Sequence, residues 1–226
     1  MHKKLMLVLT VLLISVSGLG AAEWVDLFDG ESIDGWIVRS GTNTYRVEDG
    51  TIVGTVVEGS PNTFLCTQKE YGDFILEFEV KVDTELNSGV QFRSLVAGDN
   101  TVTTRIREGK EIETKLPKDR VYGYQVEIAA SPHAGNVYDE ARRAAFLDDF
   151  EDNPAAQKAF KDKEWNHYRV ECRGDRIRTW VNGIAAADFT DSVTAKGIIG
   201  LQVHGLSRNF APYEVRWRNI RIQELP

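Results

Sequence analysis

Residues 74–80 read Phe74-Ile75-Leu76-Glu77-Phe78-Glu79-Val80. Phe74, Leu76, Phe78 and Val80 fall on one parity, with Glu77 and Glu79 on the other. A period of two places successive side chains on opposite faces of a strand, so this stretch predicts a sheet with one apolar face. The same alternation recurs along the chain. Val90 and Phe92 oppose Gln91 and Arg93. Tyr124, Val126 and Ile128 oppose Gln125 and Glu127. Ile199, Leu201 and Val203 oppose Gly200 and Gln202. Turn signals separate the runs: Asp49-Gly50, Arg173-Gly174-Asp175 and Asn182-Gly183. In the last run, Val215 and Trp217 are out of step with Ile220 and Ile222, which predicts a bulge near Arg218-Asn219. About a dozen short strands punctuated this way indicate an all-β sandwich of two antiparallel sheets.

One stretch departs from the pattern. Residues 139–164 are rich in alanine and long charged side chains, with Asn153-Pro154 in the middle. That composition favours helix, and Pro154 suits the first turn of a second one. A small helical insertion is expected there, as a cap or a lid over a site.

At the amino end, Lys3 and Lys4 precede an apolar run from Leu5 to Val16, followed by small residues ending Gly20-Ala21-Ala22. This is the three-part pattern of an export leader. The run is too short for a bilayer span, and no later segment is long and apolar enough to be one. The expected organisation is a signal peptide at 1–22 and one sandwich domain at 23–226, in an exported, periplasmic or secreted protein.

The chain has 226 residues, 42% hydrophobic and 27% charged, with a formal charge of −7 and a pI near 5.2. Loss of Lys3 and Lys4 with the leader would make the remainder more acidic still. This balance argues against a nucleic-acid partner, because phosphate binding needs a basic surface. Cys66 and Cys172 each sit on the apolar parity of an expected strand. An oxidising compartment permits a bond between them, and two separate buried thiols fit equally well. The sequence leaves the oligomeric state open.

The polar parity carries the candidate chemistry. Glu79, Gln91, Arg93, Gln125, Glu127, Gln202 and His204 are mostly groups that donate and accept hydrogen bonds in several directions. Such a set on a curved sheet suits a sugar or another polyol. Trp36 and Tyr138 are candidate platforms for the apolar face of its ring. His204 can exchange a proton near neutrality, Glu127 can serve as acid or base if shielded, and Arg93 can hold a developing negative charge. A bland account stands beside this one: outward strand positions are polar because they meet water. Glu77, Glu79 and Glu127 do not form a compact acidic motif of the usual two-carboxylate glycosidase. Phosphate-loop, dinucleotide, zincin and serine-hydrolase signatures are missing from the sequence. Glu127, His204 and Asp139 are acceptable ligands for a cation, but no spacing selects a metal. Neither metal nor cofactor is expected.

Pieces distributed along nearly all of residues 23–226 resemble one family. They include Leu27-Phe28-Asp29-Gly30 with Asp34-Gly35-Trp36, Asn87-Ser88-Gly89-Val90-Gln91-Phe92-Arg93 and Gly123-Tyr124-Gln125-Val126-Glu127-Ile128. Trp165-Asn166, Gly200-Leu201-Gln202 and His204-Gly205 follow. Together they resemble the 3-keto-disaccharide hydrolase domain family, whose fold is similar to concanavalin A-like lectins and glucanases. The resemblance implies a jelly-roll sandwich and an exported enzyme that cleaves 3-keto-glycosides, by hydrolysis or by elimination and hydration across C1 and C2. A ketone at C3 acidifies the C2 proton, so such a reaction needs a base and a stabiliser for the enolate. Under this reading Glu127, His204 and Arg93 are the catalytic candidates. Gln125, Gln202, Asn87, Gln91, Glu79, Tyr138 and Trp36 are the candidates for binding a carbohydrate or oxidised glycoside. The alternative is a carbohydrate-binding domain without catalysis.

Overall fold

The computed structural model describes residues 22–107, 110–206 and 212–226, so the expected leader lies almost wholly outside the described residues. In chain order the strands are β1 (Trp24–Asp26), β2 (Trp36–Arg39), β3 (Thr44–Glu48), β4 (Thr51–Thr55), β5 (Thr63–Thr67) and β6 (Phe74–Val82). Next come β7 (Ser88–Val96), β8 (Val102–Arg107), β9 (Lys110–Lys115), β10 (Val121–Ile128) and β11 (Val137–Glu140). The last five are β12 (Asn166–Arg173), β13 (Arg176–Val181), β14 (Ile184–Thr190), β15 (Ile198–Val203) and β16 (Glu214–Glu224).

They form two large antiparallel sheets and a separate hairpin. The eight-stranded sheet runs β14-β13-β12-β6-β16-β4-β3, with β1 also paired to β16. The six-stranded sheet runs β11-β10-β7-β15-β5-β2, and β8 pairs with β9. This is the sandwich that the alternation predicts, in the concanavalin A-like jelly-roll form that the family resemblance implies.

The apolar parities face each other between the sheets. Phe74, Leu76, Phe78 and Val80 are fully buried from one side, and Val90, Phe92, Tyr124, Val126, Ile199 and Leu201 from the other. Phe78 stacks on Tyr168 with ring centroids 5.3 Å apart, and Phe92 on Tyr124 at 5.7 Å. Each large apolar side chain removed from water contributes about 1.5–3 kcal/mol. Truncating Phe78 to alanine would cost about 3–5 kcal/mol, because the close-packed layer cannot collapse onto the gap. The expected bulge in β16 is present. Its register with β6 shifts between Arg218 and Arg221, and Asn219 takes φ 51°.

Both cysteines are free and buried. Cys66 lies on β5 of the six-stranded sheet and Cys172 on β12 of the eight-stranded one. Burial pushes each thiol up to about 12, so neither is a reactive thiolate.

The 139–164 stretch is not helical as expected. It holds one 3-10 turn, Ala156–Lys158, and otherwise turns and irregular backbone beyond the end of β11. The backbone folds back on β11 instead: Ala144 N–H donates to Asp139 O, Asp139 N–H to Ala145 O and Leu147 N–H to Val137 O, each at 2.9 Å, and the Asp139 carboxylate accepts from Arg142 Nε at 2.8 Å and from Arg143 Nε within that turn. Ala141 and Ala144 take φ 52° and 54° there, a left-handed backbone that an α-helix cannot contain. Among the described residues, no helix is long and apolar enough to cross a membrane.

Candidate functional site

The outward face of the six-stranded sheet is polar on three adjacent inner strands, β10, β7 and β15. Register sets the pattern. Gln125 of β10 pairs with Gln91 of β7, which pairs with Gly200 of β15. One pleat away, Glu127 pairs with Gly89, which pairs with Gln202. Each row thus carries two polar side chains and one glycine, and the glycines leave room for the others to lean. A Cβ on Gly89 would come within 2.4 Å of the Gln125 side chain. Gln125 lies across that gap.

A chain of amides results. Ser94 Oγ donates to Gln91 Oε1 at 2.7 Å. Gln91 Nε2 and Gln202 Nε2 both donate to Gln125 Oε1, at 2.7 and 2.8 Å. Gln125 Nε2 reaches Glu127 Oε2 at 3.4 Å, and the Asn87 amide donates to Glu127 Oε1. The three glutamines are buried. Buried polar groups that are mutually satisfied are held in place, so this network fixes the floor of a site.

Above the floor is a cavity of about 210 Å³, room for a single sugar ring. Gln125, Glu127 and Gln202 form its base, with Asn87 and His204 beside them. Tyr138, Glu140 and Phe146 make the remaining wall. Tyr138 meets Phe146 edge-on at 5.2 Å, and His133 stacks on Phe146 at 4.6 Å.

The electrostatics of the cavity favour neutral groups. Burial raises the Glu127 carboxyl, hydrogen bonds from Asn87 and Gln125 work against that rise, Glu140 adds a smaller upward push, and the net is a carboxyl pushed up to about 7. Among the described residues no cation lies within ion-pair distance of Glu127. Burial holds His204 below the ordinary histidine value, so its imidazole is neutral at pH 7. Among the described residues, Gln202 Oε1 and His204 Nδ1 are buried with no hydrogen-bond partner. Polar atoms of this kind can take hydrogen bonds from the hydroxyls of a ligand. Glu140, by contrast, is ion-paired with Arg120.

The fold brings together Asn87, Gln125, Glu127, Tyr138, Gln202 and His204. Gln91 sits beneath them, reaching the cavity only through Gln125. The other three candidates lie elsewhere. Arg93 belongs to the strand parity of Gln91 in sequence, but a bulge intervenes. Its φ is 44°, and the pairings of β7 with both neighbours shift register around it. The side chain therefore turns to the end of the sandwich, fully buried. Nε donates to Gly72 O at 2.8 Å, Nη1 to Gly174 O at 2.7 Å and Nη2 to Asp73 Oδ1 at 2.7 Å. Arg93 clamps the two sheets and does not meet Glu127. Glu79 is on β6 of the other sheet, where Arg218 Nε donates to it at 2.5 Å. Trp36 is on edge strand β2, with Nε1 donating to Leu27 O at 3.1 Å and the ring packed against the core.

Glu140 and Phe146 join the cavity without having been among the candidates. The signal for Glu140 was in the sequence. Tyr138 pairs with Gln125 and Glu140 with Gly123, so the polar parity of β10 continues into 137–140. No pattern marked Phe146, which a turn carries back to a bridge with Tyr138.

Among the described residues, no group of three or more His, Cys, Asp or Glu is placed to hold a metal ion. Residues 23–223 match the model of the family described as the 3-keto-alpha-glucoside-1,2-lyase-like domain. No curated protein compared with the chain matches it. Solved structures share the fold, three of them as follows. A candidate glycosyl hydrolase from Parabacteroides distasonis aligns with TM-score 0.59 and 19% identity, over 90% of this chain and 94% of its own. The carbohydrate-binding module CBM66 from Bacillus subtilis aligns with TM-score 0.57 and 16% identity, over 84% and 96%. A Bacillus subtilis protein of unknown function with a galectin-like fold aligns with TM-score 0.58 and 11% identity, over 91% and 96%.

Proposed function

The chain belongs to the 3-keto-alpha-glucoside-1,2-lyase-like family, and on that premise we propose that the Glu127 cavity takes a 3-keto-glycoside and that Glu127 removes its C2 proton. The observation that carries this reading is the state of the Glu127 carboxyl: desolvated, with no cation beside it among the described residues, and pushed up to about 7. A general base works best when its pKa lies near the working pH. An ordinary surface glutamate is too weak a base, and an ion-paired one is weaker still.

The step balances simply. The electron pair of the C2–H bond flows toward the C3 ketone as the proton passes to Glu127. The enolate then expels the C1 oxygen as the C1–C2 double bond forms, and that oxygen collects a proton. Addition of water across the double bond completes a net hydrolysis. With Arg93 committed to the clamp, the neutral donors of the cavity are left to hold the enolate: the Asn87 and Gln202 amides and the His204 ring. A neutral His204 can donate or accept without placing a fixed charge beside Glu127. Tyr138 and Phe146 supply the apolar wall against which a pyranose ring rests.

A non-catalytic sugar-binding domain would present its ligand to an open groove with exposed aromatic rings and no shielded acid–base group. Glu127 and His204 in one small cavity favour the enzymatic reading over that one. The leader pattern of residues 1–22 puts the reaction outside the cytoplasm in the same proposal, and amino-terminal sequencing of the natural protein tests that part. The activity is tested by product analysis with 3-keto-glucosides and their unoxidised parents, using the wild type and Glu127→Gln. Cleavage of the keto compounds alone, lost in Glu127→Gln, supports the proposal. Sugar binding without cleavage of either would overturn it.

A further inference from the structure

Beside the Glu127 cavity lies a larger one, of about 660 Å³. We propose, resting on the sugar reading of the smaller cavity, that the larger one is a leaving-group subsite selective for a group that carries a negative charge, with Arg105 as its partner.

The two cavities share a wall. Glu140 lines the smaller one, and it is held by Asn62 Nδ2 at 3.3 Å and by Arg120, both of which line the larger. Gly205, next to His204, also faces the larger cavity and donates its N–H to Asn62 Oδ1 at 2.9 Å. A substituent leaving C1 of a sugar held over Glu127 therefore has this space as its neighbour. Pro61, Leu116, Pro117 and Leu206 give it apolar surfaces.

Its charge is one-sided. Arg105, Lys115 and Arg120 line it, with no carboxylate among the described lining residues, in a chain whose formal charge is −7. Arg120 is spent on Glu140. Lys115 Nζ makes a long contact with Asn100 Oδ1, at 3.5 Å. Arg105 is uncommitted: among the described residues it has no ion-pair partner, and its Nε is buried with no acceptor. It projects from β8 and is close enough for its charge to be felt at Tyr138 on the wall of the smaller cavity. A guanidinium in that position matches a carboxylate or phosphate with a two-pronged hydrogen bond.

The test begins with equilibrium binding to the full chain, using glucuronate, glucose 6-phosphate and glucose as probes. The anionic sugars are expected to bind at least 10-fold more tightly than glucose, with the advantage shrinking as salt rises. Glucuronate and glucose 6-phosphate separate carboxylate from phosphate as the preferred group. Arg105→Gln is expected to erase the advantage, and Arg105→Lys to restore part of it. The kinetic arm compares 3-keto-glucosides whose leaving groups are glucose and glucuronate, with a higher kcat/KM expected for the latter. Equal binding of all three sugars, or an anion preference that survives Arg105→Gln, overturns the subsite. Anion binding that depends on Arg105, without cleavage of any 3-keto-glycoside, leaves the subsite standing and overturns only the reaction.

Discussion

The side-chain amide of Asn87 donates to Glu127 Oε1, and this contact opposes the burial of the same carboxyl. Desolvation favours the protonated acid, whereas an N–H donor favours the carboxylate. The balance places the group at about 7. Replacing Asn87 with alanine removes the donor, so the acid limb of the kcat/KM profile should move up by about half to one pH unit. A pH–rate profile of the variant checks this. An unmoved limb would mean that another group governs it.

The same carboxyl makes stability depend on pH. Its folded pKa lies above the ordinary value of 4.5. The protein therefore keeps this group's full favourable contribution below that value and loses it as pH rises through about 7. At 1.36 kcal/mol per unit, the loss above pH 8 is on the order of 3 kcal/mol. Glu127→Gln should be the more stable protein at pH 8.5, with the advantage gone near pH 4. Urea denaturation across that range measures it. Parallel curves for the two proteins would contradict the buried, unpaired carboxyl.

Gly89 is a steric prediction. A methyl group there meets the Gln125 side chain at 2.4 Å, so Gly89→Ala must displace the amide that joins Gln91, Gln202 and Glu127. Overpacking of this kind costs about 1–3 kcal/mol. The expected outcome is a folded protein whose kcat/KM falls by about 10-fold or more, since misplacing positioning groups costs on that scale. Steady-state kinetics beside a melting curve separates the two effects. Full activity would show that the amide chain does not position the site.

Arg93→Met tests the clamp. It leaves the carbonyls of Gly72 and Gly174 without their donor, and Asp73 without its cation. Removing one partner of a buried charged contact is costly, and with Asp73 one-third exposed the expected loss is about 3 kcal/mol. In protein that remains folded, the pH limb set by Glu127 should stay where it is. A shifted limb with unchanged stability would return Arg93 to the site.

These residues also show what strand parity reveals. The alternation at 74–80 and its repeats identify the sandwich, because a period of two with one apolar face has few other uses. It also puts Gln125, Glu127 and Gln202 on one face. Parity does not say which sheet a strand joins, and so Glu79, with the same outward pattern, proved to be on the opposite sheet. A single extra residue reverses parity, and at Arg93 the marking glycines, Gly123 and Gly197, lie on neighbouring segments and not on β7 itself. Helix propensity misled at 139–164, where residues 144–147 pair their backbone back onto β11. Local composition cannot outweigh contacts of that strength. The uncommitted charge of Arg105 was invisible for a similar reason. Whether a surface cation has a partner depends on the packing of elements distant in sequence.

Exchange at C2 is the most direct test of Glu127 as the base. A 3-keto sugar with no group to expel from C1 can be incubated with the protein in deuterium oxide and followed by proton NMR. The wild type is predicted to wash out the C2 proton far faster than buffer, with a rate that rises through pH 7, and Glu127→Gln to leave it in place. Exchange at the background rate with wild type, or undiminished exchange with Glu127→Gln, would contradict the account.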